Sequence, residues 1–274
     1  QRHWQHDLKA GLFGRGWTSS VDYQLAWSAD CRQQPGSSAD SCPARPDPTA
    51  PIYVHRPSGS RYTYQWVDAS QRFEDAKPQS LSYLSWDASA STWVLFTETG
   101  GVERYNAAGH ILSTENRYGQ HTAYTYDTDG SYRLKRLTFP SGRTLDFVWV
   151  GDKLRTVSAP SIPAIQYQYN ASGQLAQVTD PVGNLSSYGY GGPNQDGSIN
   201  ATTDRLESIH RNGQLYKEVR YFGPIAKVSD SGLASGLEKD HFSYPDELTT
   251  RVTNAAGARS TYHYGVVAGQ KRLL

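Results

Sequence analysis

Residues 167–190 read YQYNASGQLAQVTDPVGNLSSYGY, which combines two short strand patterns with two turn patterns. Tyr167 and Tyr169 alternate with glutamine, the period of a β-strand that has one covered face. Residues 170–173 (NASG) predict a turn, because asparagine tolerates the left-handed region and glycine enters it without a Cβ clash. Residues 180–184 (DPVGN) predict a second turn, with proline fixing one φ and glycine supplying a positive one. The stretch then returns to Tyr-x-Tyr, so the unit can be repeated.

The same unit recurs along the chain. Aromatic residues, which we call anchors, fall at intervals of 21, 23, 20 and 21 residues: Tyr105, Tyr126, Trp149, Tyr169 and Tyr190. A small or polar turn follows each of the first four, at residues 106–109, 127–130, 150–152 and 170–173. A leucine or isoleucine comes next, at Ile111, Leu134, Leu154 and Leu175, and further turns fall in mid-unit at 116–119, 139–142 and 180–183. A fixed period of about 20 residues is typical of repeat architectures. The pattern predicts an all-β protein built from antiparallel hairpin repeats of about 21 residues.

Three stretches of the sequence carry a family resemblance. Tyr-x-Tyr-Asp-x-x-Gly at 124–130 and Gly-x-Leu-x-x-Val-Thr-Asp-Pro-x-Gly-Asn at 173–184 resemble the YD repeat of the RHS family. Residues 11–17 (GLFGRGW) resemble the Gly-x-Gly-Trp segment that precedes the repeats in long RHS proteins. The resemblance implies structural roles for Gly14, Gly16, Trp17, Tyr126, Asp127, Gly130, Tyr169, Gly173, Leu175, Asp180, Pro181, Gly183, Asn184 and Tyr190.

The RHS family includes polymorphic toxins of bacterial secretion systems, a component of insecticidal toxin complexes, and the teneurins. In this family the repeats form a spiralling β-sheet that closes into a hollow cocoon around a toxic C-terminal domain. The resemblance therefore implies a curved, spiralling sheet that is a non-enzymatic segment of such a wall. It implies as partners the remaining repeats and the C-terminal toxin or cargo of a longer chain, together with secretion-apparatus or surface proteins. The implied location is secreted or at the bacterial cell surface.

The chain divides, on its sequence, into two parts of one continuous structural unit. Residues 1–104 hold the Gly-Arg-Gly-Trp motif and a loop with both cysteines at 28–51, and residues 105–274 hold the repeats. Residues 269–274 resemble the opening of one more unit, so we expect the chain to be part of a longer polypeptide. Outside the regular pattern, residues 72–79 predict a short helix or irregular loop, and residues 227–239 an insertion rich in serine and glycine.

Cys31 and Cys42 flank a Gln-Gln-Pro-Gly-Ser-Ser turn. Their spacing favours a disulfide that closes a small loop, which would indicate an oxidising compartment. Two free thiols, or half of a metal site, remain the alternatives, although no Cys-x-x-Cys pair is present to complete a zinc site.

Composition and motifs exclude several function classes. Lys and Arg number 27 against 26 Asp and Glu, so the net charge of +1 gives no sign of nucleic-acid binding. No apolar run reaches the roughly 20 residues of a membrane-spanning helix. There is no Gly-x-Ser-x-Gly or His-Glu-x-x-His motif. His3, His6 and Asp7 lack a further ligand nearby, and the aspartates of the turns are explained by capping. We expect no enzyme activity, no cofactor and no metal ion.

Two alternatives stay open. Glu98, Glu103 and Glu115 could supply a glycosidase pair, since such pairs are set by space rather than by sequence. A second possible function is that of a secreted or cell-surface β-repeat module that binds a glycan or a protein partner, or that self-assembles. The placement of the aromatic side chains distinguishes a structural wall from a binding module. Aromatic side chains packed between strands favour a wall, and aromatic side chains grouped in an exposed groove favour a binding module.

Overall fold

The computed structural model describes residues 2–4, 10–27, 48–191, 205–222, 227–234, 236–267 and 270–274. Within these ranges the chain forms 26 β-strands and no helix, which confirms the prediction of an all-β protein. The chain forms two compact units, with Lys9–Gln166 as the body of the first and Tyr167–Leu274 as the body of the second. The sequence division between residues 104 and 105 stays a prediction.

The first unit begins with short strands and continues as one run of hairpins. Its strands are β1 (Arg2–Trp4), β2 (Ala10–Gly11), β3 (Gly14–Arg15), β4 (Trp17–Ser19), β5 (Gln24–Ala26), β6 (Ile52–His55), β7 (Arg61–Val67), β8 (Arg72–Asp75), β9 (Tyr83–Asp87), β10 (Thr92–Phe96), β11 (Val102–Tyr105), β12 (Ile111–Glu115), β13 (His121–Tyr126), β14 (Leu134–Thr138), β15 (Thr144–Val150), β16 (Lys153–Ala159) and β17 (Ile162–Tyr169), the last of which extends into the second unit.

The second unit continues the hairpin pattern. Its strands are β18 (Leu175–Thr179), β19 (Leu185–Tyr190), β20 (Leu206–Arg211), β21 (Gln214–Tyr221), β22 (Val228–Leu233), β23 (Asp240–Asp246), β24 (Thr249–Thr253), β25 (Arg259–Val267) and β26 (Gln270–Leu273). From β5 to β17 in the first unit, and from β18 to β26 in the second, each strand pairs antiparallel with the next one in the chain.

The strand registers shift at the anchors. Tyr105 lies opposite Ile111 although the preceding residue, Arg104, lies opposite Ser113, so two residues of β12 oppose one of β11. The same shift occurs at Tyr126 in the first unit, and at further aromatic positions in both units: Trp149, Tyr190 and Tyr221. A β-bulge of this kind interrupts the ladder and increases the local twist. The spacing of the anchors in the sequence therefore corresponds to the spacing of β-bulges along the sheet.

Five of the turns predicted from the sequence share one hydrogen-bond arrangement. The first residue donates its N–H to the carbonyl of the fifth, and the glycine at the fourth position donates to the carbonyl of the first. In Asn170–Gln174 both bonds are 2.9 Å long, and Asn170 Oδ1 also accepts from the N–H of Gln174 at 2.9 Å. Nine turns in the described ranges have these two bonds, starting at Arg56, Thr97, Asn106, Asn116, Phe139, Asn170, Asp180, Leu233 and Asn254. The predictions of turns at 106–109, 116–119, 139–142, 170–173 and 180–183 are confirmed.

The leucine or isoleucine after each first turn is buried. Ile111, Leu134, Leu154 and Leu175 are all less than 5% exposed. Because side chains alternate across a strand, one such residue in every hairpin is enough to keep the same face of the sheet apolar.

Residues 10–27 pack against the first hairpins. Leu12, Phe13 and Trp17 are buried, and the carboxylate of Asp22 accepts from the N–H groups of Leu12 (3.0 Å) and Ser19 (2.6 Å). Strand β5 pairs with β6 on one edge. On its other edge, the N–H of Leu25 donates to the carbonyl of Gly109 at 2.9 Å. This strand therefore joins the start of the hairpin run to the turn between β11 and β12.

Two expectations from the sequence are wrong in part, because only residues 76–79 of the segment 72–79, and residues 227, 234 and 236–239 of the described part of the segment 227–239, lie outside a strand. Residues 72–75 form strand β8, which pairs with both β7 and β9, rather than a helix or loop. Residues 228–233 form strand β22, which pairs with β21 and β23, rather than an insertion. Each segment offers few apolar side chains, and the strand is formed because both of its edges meet a paired neighbour.

Gly109→Ala should destabilise the protein more than Gly142→Ala does. Both glycines hold the fourth position of the shared turn, with φ of 88° and 78°, so each alanine costs about 1–2 kcal/mol through the left-handed backbone. A Cβ on residue 109 would also lie 2.4 Å from the carbonyl oxygen of Leu25, whereas on residue 142 it would meet nothing within 4 Å. Thermal unfolding of the two variants measures the difference, and equal losses of Tm would contradict the packing of β5 against this turn.

Candidate functional site

The feature that recurs in both units is a side-chain hydrogen bond between neighbouring strands. In the first unit, the indole Nε1 of Trp149 donates to the carbonyl of Leu134 at 2.9 Å. In the second unit, the hydroxyl of Tyr190 donates to the carbonyl of Leu175 at 2.6 Å. Tyr221 and Tyr244 donate in the same way to the carbonyls of Leu206 (2.7 Å) and Val228 (2.9 Å). We call these contacts anchor bonds.

The bulges explain why an aromatic donor is needed. The registered pairs between β14 and β15 end at Arg136 and Asp146, so Leu134 lies beyond the ladder at the bulge that faces Tyr126. A buried carbonyl without a donor costs about 1–3 kcal/mol. The ring of Trp149 spans the gap that a backbone N–H cannot reach, and its N–H replaces the missing ladder bond. Tryptophan and tyrosine suit this position because each combines a large apolar body with a polar tip.

A second feature lies in the first unit, where a buried ion pair links a turn to a strand. Both carboxylate oxygens of Glu103 on β11 accept from Nη1 of Arg56, and the hydroxyl of Tyr105 donates to Oε2 at 2.6 Å. The two charged side chains are 17% and 10% exposed. Burial alone would lower the pKa of Arg56, but Tyr105 and Glu103 beside it raise that pKa. A buried pair of this kind holds its elements in one arrangement, since losing either partner would leave a charge uncompensated.

The motif residues near the N-terminus have structural positions in the first unit. Gly14 and Gly16 have φ of 92° and 79°, and Trp17 is 3% exposed. The structure thus places this motif in the packed segment before β5.

The Tyr-Asp motif of the first unit closes a longer turn. Asp127 donates its N–H to the carbonyl of Arg133 at 2.9 Å, and Gly130 has φ of 80°. Tyr126 lies at the bulge opposite Leu134. Burial raises the pKa of the Tyr126 hydroxyl, which is consistent with a packed ring.

The Asp-Pro-x-Gly-Asn motif of the second unit forms a self-contained turn. Asp180 Oδ1 accepts from the N–H groups of Val182 (3.0 Å) and Asn184 (2.9 Å), and Oδ2 accepts from Asn184 Nδ2 at 2.9 Å. These hydrogen bonds lower the pKa of Asp180, and the bond from the side chain of Asn184 has the largest effect. The ring of Pro181 fixes one φ of this turn, and Gly183 adopts the positive φ, at 93°. The remaining motif residues of this unit lie in β17, its turn and β18: Tyr169, Gly173 and Leu175.

Other predicted positions have simpler outcomes. Cys31 and Cys42 lie outside the described residues, so the disulfide stays a prediction. Glu98 pairs with Lys77 at 3.4 Å, and Glu103 pairs with Arg56. In the described parts of the chain, no three His, Cys, Asp or Glu side chains are grouped as metal ligands. The same parts contain no helix with the length and apolarity needed to cross a membrane. Sequence reasoning missed Arg56, since a lone arginine before a Pro-Ser-Gly turn carries no signal of its buried partner.

Comparison with known proteins finds similarities of structure. No family model matches the chain, and no curated protein sequence matches it. The chain is similar to the crystal structure of TcdB2-TccC3-Cdc42, with 13% identity over 81% of this chain and 15% of that chain, and a TM-score of 0.40. It is similar to the Tc holotoxin pore of Photorhabdus luminescens, with 12% identity over 81% of this chain and 15% of that chain, and a TM-score of 0.38.

A third similarity is to the N-terminal domain of the effector protein SpvB from Salmonella typhimurium strain LT2. The identity is 13% over 96% of this chain and 93% of that chain, with a TM-score of 0.29. The chain spans about 15% of the length of the TcdB2-TccC3 chain that it matches.

Tyr190→Phe should lower the free energy of unfolding by about 1–3 kcal/mol, because it leaves the carbonyl of the fully buried Leu175 without its donor. Tyr262→Phe is the matched control, since that ring is 39% exposed on β25 and its loss of a hydroxyl should cost little. Urea unfolding of both variants gives the two values. A control that loses as much as Tyr190→Phe would mean that the anchor bond adds nothing.

The stability of the protein should fall at alkaline pH. Burial raises the pKa of Tyr64 to about 12 and also raises the pKa of Tyr105 and Tyr221 above the ordinary value of 10.0. A phenol whose folded pKa is raised contributes stability that is complete below pH 10.0 and is lost as the pH rises through the folded pKa. Unfolding free energies measured from about pH 9 to 12 should therefore decline above pH 10, and less steeply in Tyr64→Phe.

A near-ultraviolet titration measures the ionisation of the tyrosine hydroxyls directly. Only part of the 19 tyrosines should ionise while the circular dichroism stays native, and the rest should ionise on unfolding. Complete ionisation near pH 10 in the folded protein would contradict the burial of the anchors.

Proposed function

We propose that this chain is a non-enzymatic wall segment of an RHS-repeat shell, which encloses a toxin domain or other cargo. The observation that carries the proposal is the anchor bond, which is made by Trp149 in the first unit and by Tyr190, Tyr221 and Tyr244 in the second. At these four positions an aromatic side chain donates to a carbonyl of the preceding strand, so each of these hairpins is tied to the strand before it. In such a sheet each added hairpin contacts the hairpin before it and pairs with its open strand edge, so a longer sheet leaves a smaller share of its strands unpaired.

The placement of the aromatic side chains supports a wall more than a surface binding module. Five tyrosine rings of the described residues are less than 10% exposed, and the anchors Tyr126, Trp149, Tyr169 and Tyr190 are half-buried; the five are Tyr64, Tyr105, Tyr124, Tyr167 and Tyr221. In the first unit, Trp86 is 42% exposed, but its ring contacts Trp93 edge-on with centroids 5.2 Å apart. Rings that are buried in this way fit a structural sheet.

The remaining parts of the proposal follow from the resemblance to the family. The partners would be further repeats and a C-terminal toxin or cargo of a longer chain, with a secretion apparatus or surface protein at delivery. The location would be outside the bacterial cytoplasm. The Tc and SpvB structures that the chain resembles are named as toxin and effector proteins, which agrees with this proposal at a coarse level.

The test is the intact mass of the protein isolated from its source, followed by limited proteolysis. We expect a mass well above the 30.4 kDa of this chain, and a cargo region that resists protease until the shell is unfolded. A mass of 30.4 kDa would contradict the proposal and favour a segment that acts alone or by self-assembly. A larger protein whose non-repeat part is cleaved as fast in the native as in the unfolded state would contradict enclosure.

The same mass measurement tests the predicted disulfide. With Cys31 and Cys42 paired, reduction should increase the mass by about 2 Da, because each sulfur gains a hydrogen. An unchanged mass, with both thiols open to alkylation before reduction, would show that the pair is free.

A further inference from the structure

An asparagine-glycine pair joins β20 to β21 in the second unit. Asn212 and Gly213 form the two-residue turn between these strands, with φ of 49° and 80°. Positive φ at both residues is typical of a type I′ hairpin turn, for which Asn-Gly is a preferred sequence. Both residues are exposed, so water reaches them. No other Asn-Gly pair occurs in the sequence.

The side chain of Asn212 continues the ladder between β19 and β20. The registered pairs of these strands end at Ser186 and Arg211. One residue further on, the N–H of Asn212 donates to the carbonyl of Leu185 at 2.7 Å, and the N–H of Leu185 donates to Asn212 Oδ1 at 2.7 Å. The side-chain carbonyl thus takes the place that a main-chain carbonyl has in a regular antiparallel pair.

A third bond ties this turn to the turn at residues 180–184. Nδ2 of Asn212 donates to Oδ1 of Asn184 at 3.2 Å, and Asn184 is the fifth residue of the Asp-Pro-x-Gly-Asn turn. Both polar atoms of the Asn212 carboxamide are therefore bound to the segment at the start of β19. These contacts hold the turn between β20 and β21 beside the turn that precedes β19.

An Asn-Gly pair is chemically labile, because glycine has no Cβ to shield its main-chain nitrogen. The nitrogen of Gly213 forms a bond to Cγ of Asn212, and the side-chain nitrogen leaves as ammonia with the proton that the main-chain N–H gives up. Water then opens the cyclic imide at either carbonyl. Opening at the side-chain carbonyl gives aspartate, and opening at the main-chain carbonyl gives isoaspartate. The turn has room for the ring, since a Cβ on Gly213 would meet nothing within 4 Å.

We propose that Asn212 is a site of spontaneous deamidation, and that the pairing of β19 with β20 guards it. For the ring to close, Cγ of Asn212 has to rotate onto the nitrogen of Gly213. The carboxamide first has to release its bonds to Leu185 and Asn184. The rate of conversion therefore depends on how often this end of the sheet opens, although the turn itself is exposed. Neither the site nor its guard depends on the proposed shell, because both lie within the second unit.

Conversion would keep this end of the sheet open. Aspartate has no Nδ2 to donate, so a carboxylate oxygen would face Oδ1 of Asn184, whose Nδ2 is already bound to Asp180. Isoaspartate adds the former Cβ to the main chain, so a two-residue turn would no longer place Arg211 opposite Gln214. Because the ammonia is lost to the solvent, the change is permanent.

The test is peptide mapping by mass spectrometry after the whole chain has been incubated at mildly alkaline pH, both folded and in urea. We expect the peptide that contains Asn212 to gain about 1 Da, because an amide becomes a carboxylic acid. The gain should be roughly twentyfold slower in the folded chain, since two side-chain bonds have to open.

Two variants test the guard. Asn184→Ala removes the acceptor of one of the two bonds and should raise the folded rate about fivefold. Gln120→Ala is the matched control, because Gln120 is also the exposed fifth residue of the shared turn, but it bonds to Asn116 instead. This control should leave the rate at Asn212 unchanged.

Hydrogen exchange of the converted chain measures the consequence. Ion-exchange chromatography separates the converted chain, because conversion adds a negative charge. We expect the N–H of Leu185 to exchange faster in the isoaspartate form than in the unconverted chain. Asn212→Asp keeps an acceptor for this N–H and should give a smaller increase.

Four results would overturn the proposal. The first is an absence of conversion at Asn212 in urea, which would mean that the pair is not labile. The second is a rate that is as fast in the folded chain as in urea. The third is an equal effect of Asn184→Ala and Gln120→Ala, which would mean that the contact between the two turns does not restrain the carboxamide. The fourth is unchanged exchange of the Leu185 N–H in the isoaspartate form.

Discussion

The structure depends on how a twisted sheet satisfies its carbonyl groups where the ladder is interrupted. A bulge bends the strand pair, but it moves a buried carbonyl out of reach of the next strand's backbone. In this protein the aromatic ring one hairpin later supplies the donor, as Tyr221 does for Leu206 and Trp149 for Leu134. The anchor is therefore constrained twice, by the volume of its ring and by the position of its polar atom. That double constraint explains why the aromatic position recurs in the sequence while its neighbours vary.

The repeat pattern predicts the fold because its signals are local. Asn170, Gly173 and Leu175 each act within one hairpin, so their spacing in the sequence is their spacing in the structure. The wrong expectations fall where tertiary pairing decides instead. Strand β8 (Arg72–Asp75) has a single core side chain, Phe73, and no alternation that distinguishes it from a loop. Its two neighbours β7 and β9 make it a strand, and no local signal in the sequence reports them.

The buried ion pair could not be predicted for the same reason. Arg56 and Glu103 are 47 residues apart. Sequence reasoning named Glu103 only as one of three glutamates. It would have needed the strand order and the pairing of every turn to place Arg56 beside it. The alternation of apolar and polar residues predicts which face of a strand is buried. A contact between a turn and a strand of another hairpin depends on how several hairpins curve together.

The glycines show how the same turn serves two purposes in the first unit. Gly142 has open space around its Cα, so its only role is to permit the positive φ of the turn. Gly109 has the same backbone conformation, but its missing Cβ also admits the carbonyl of Leu25 from β5. A turn that is generic in the repeat has thus become the docking point of the segment that precedes the repeats. In the hairpins that share this turn the glycine permits the positive φ, and at Gly109 it also makes room for a second chain segment without any change in the repeat pattern.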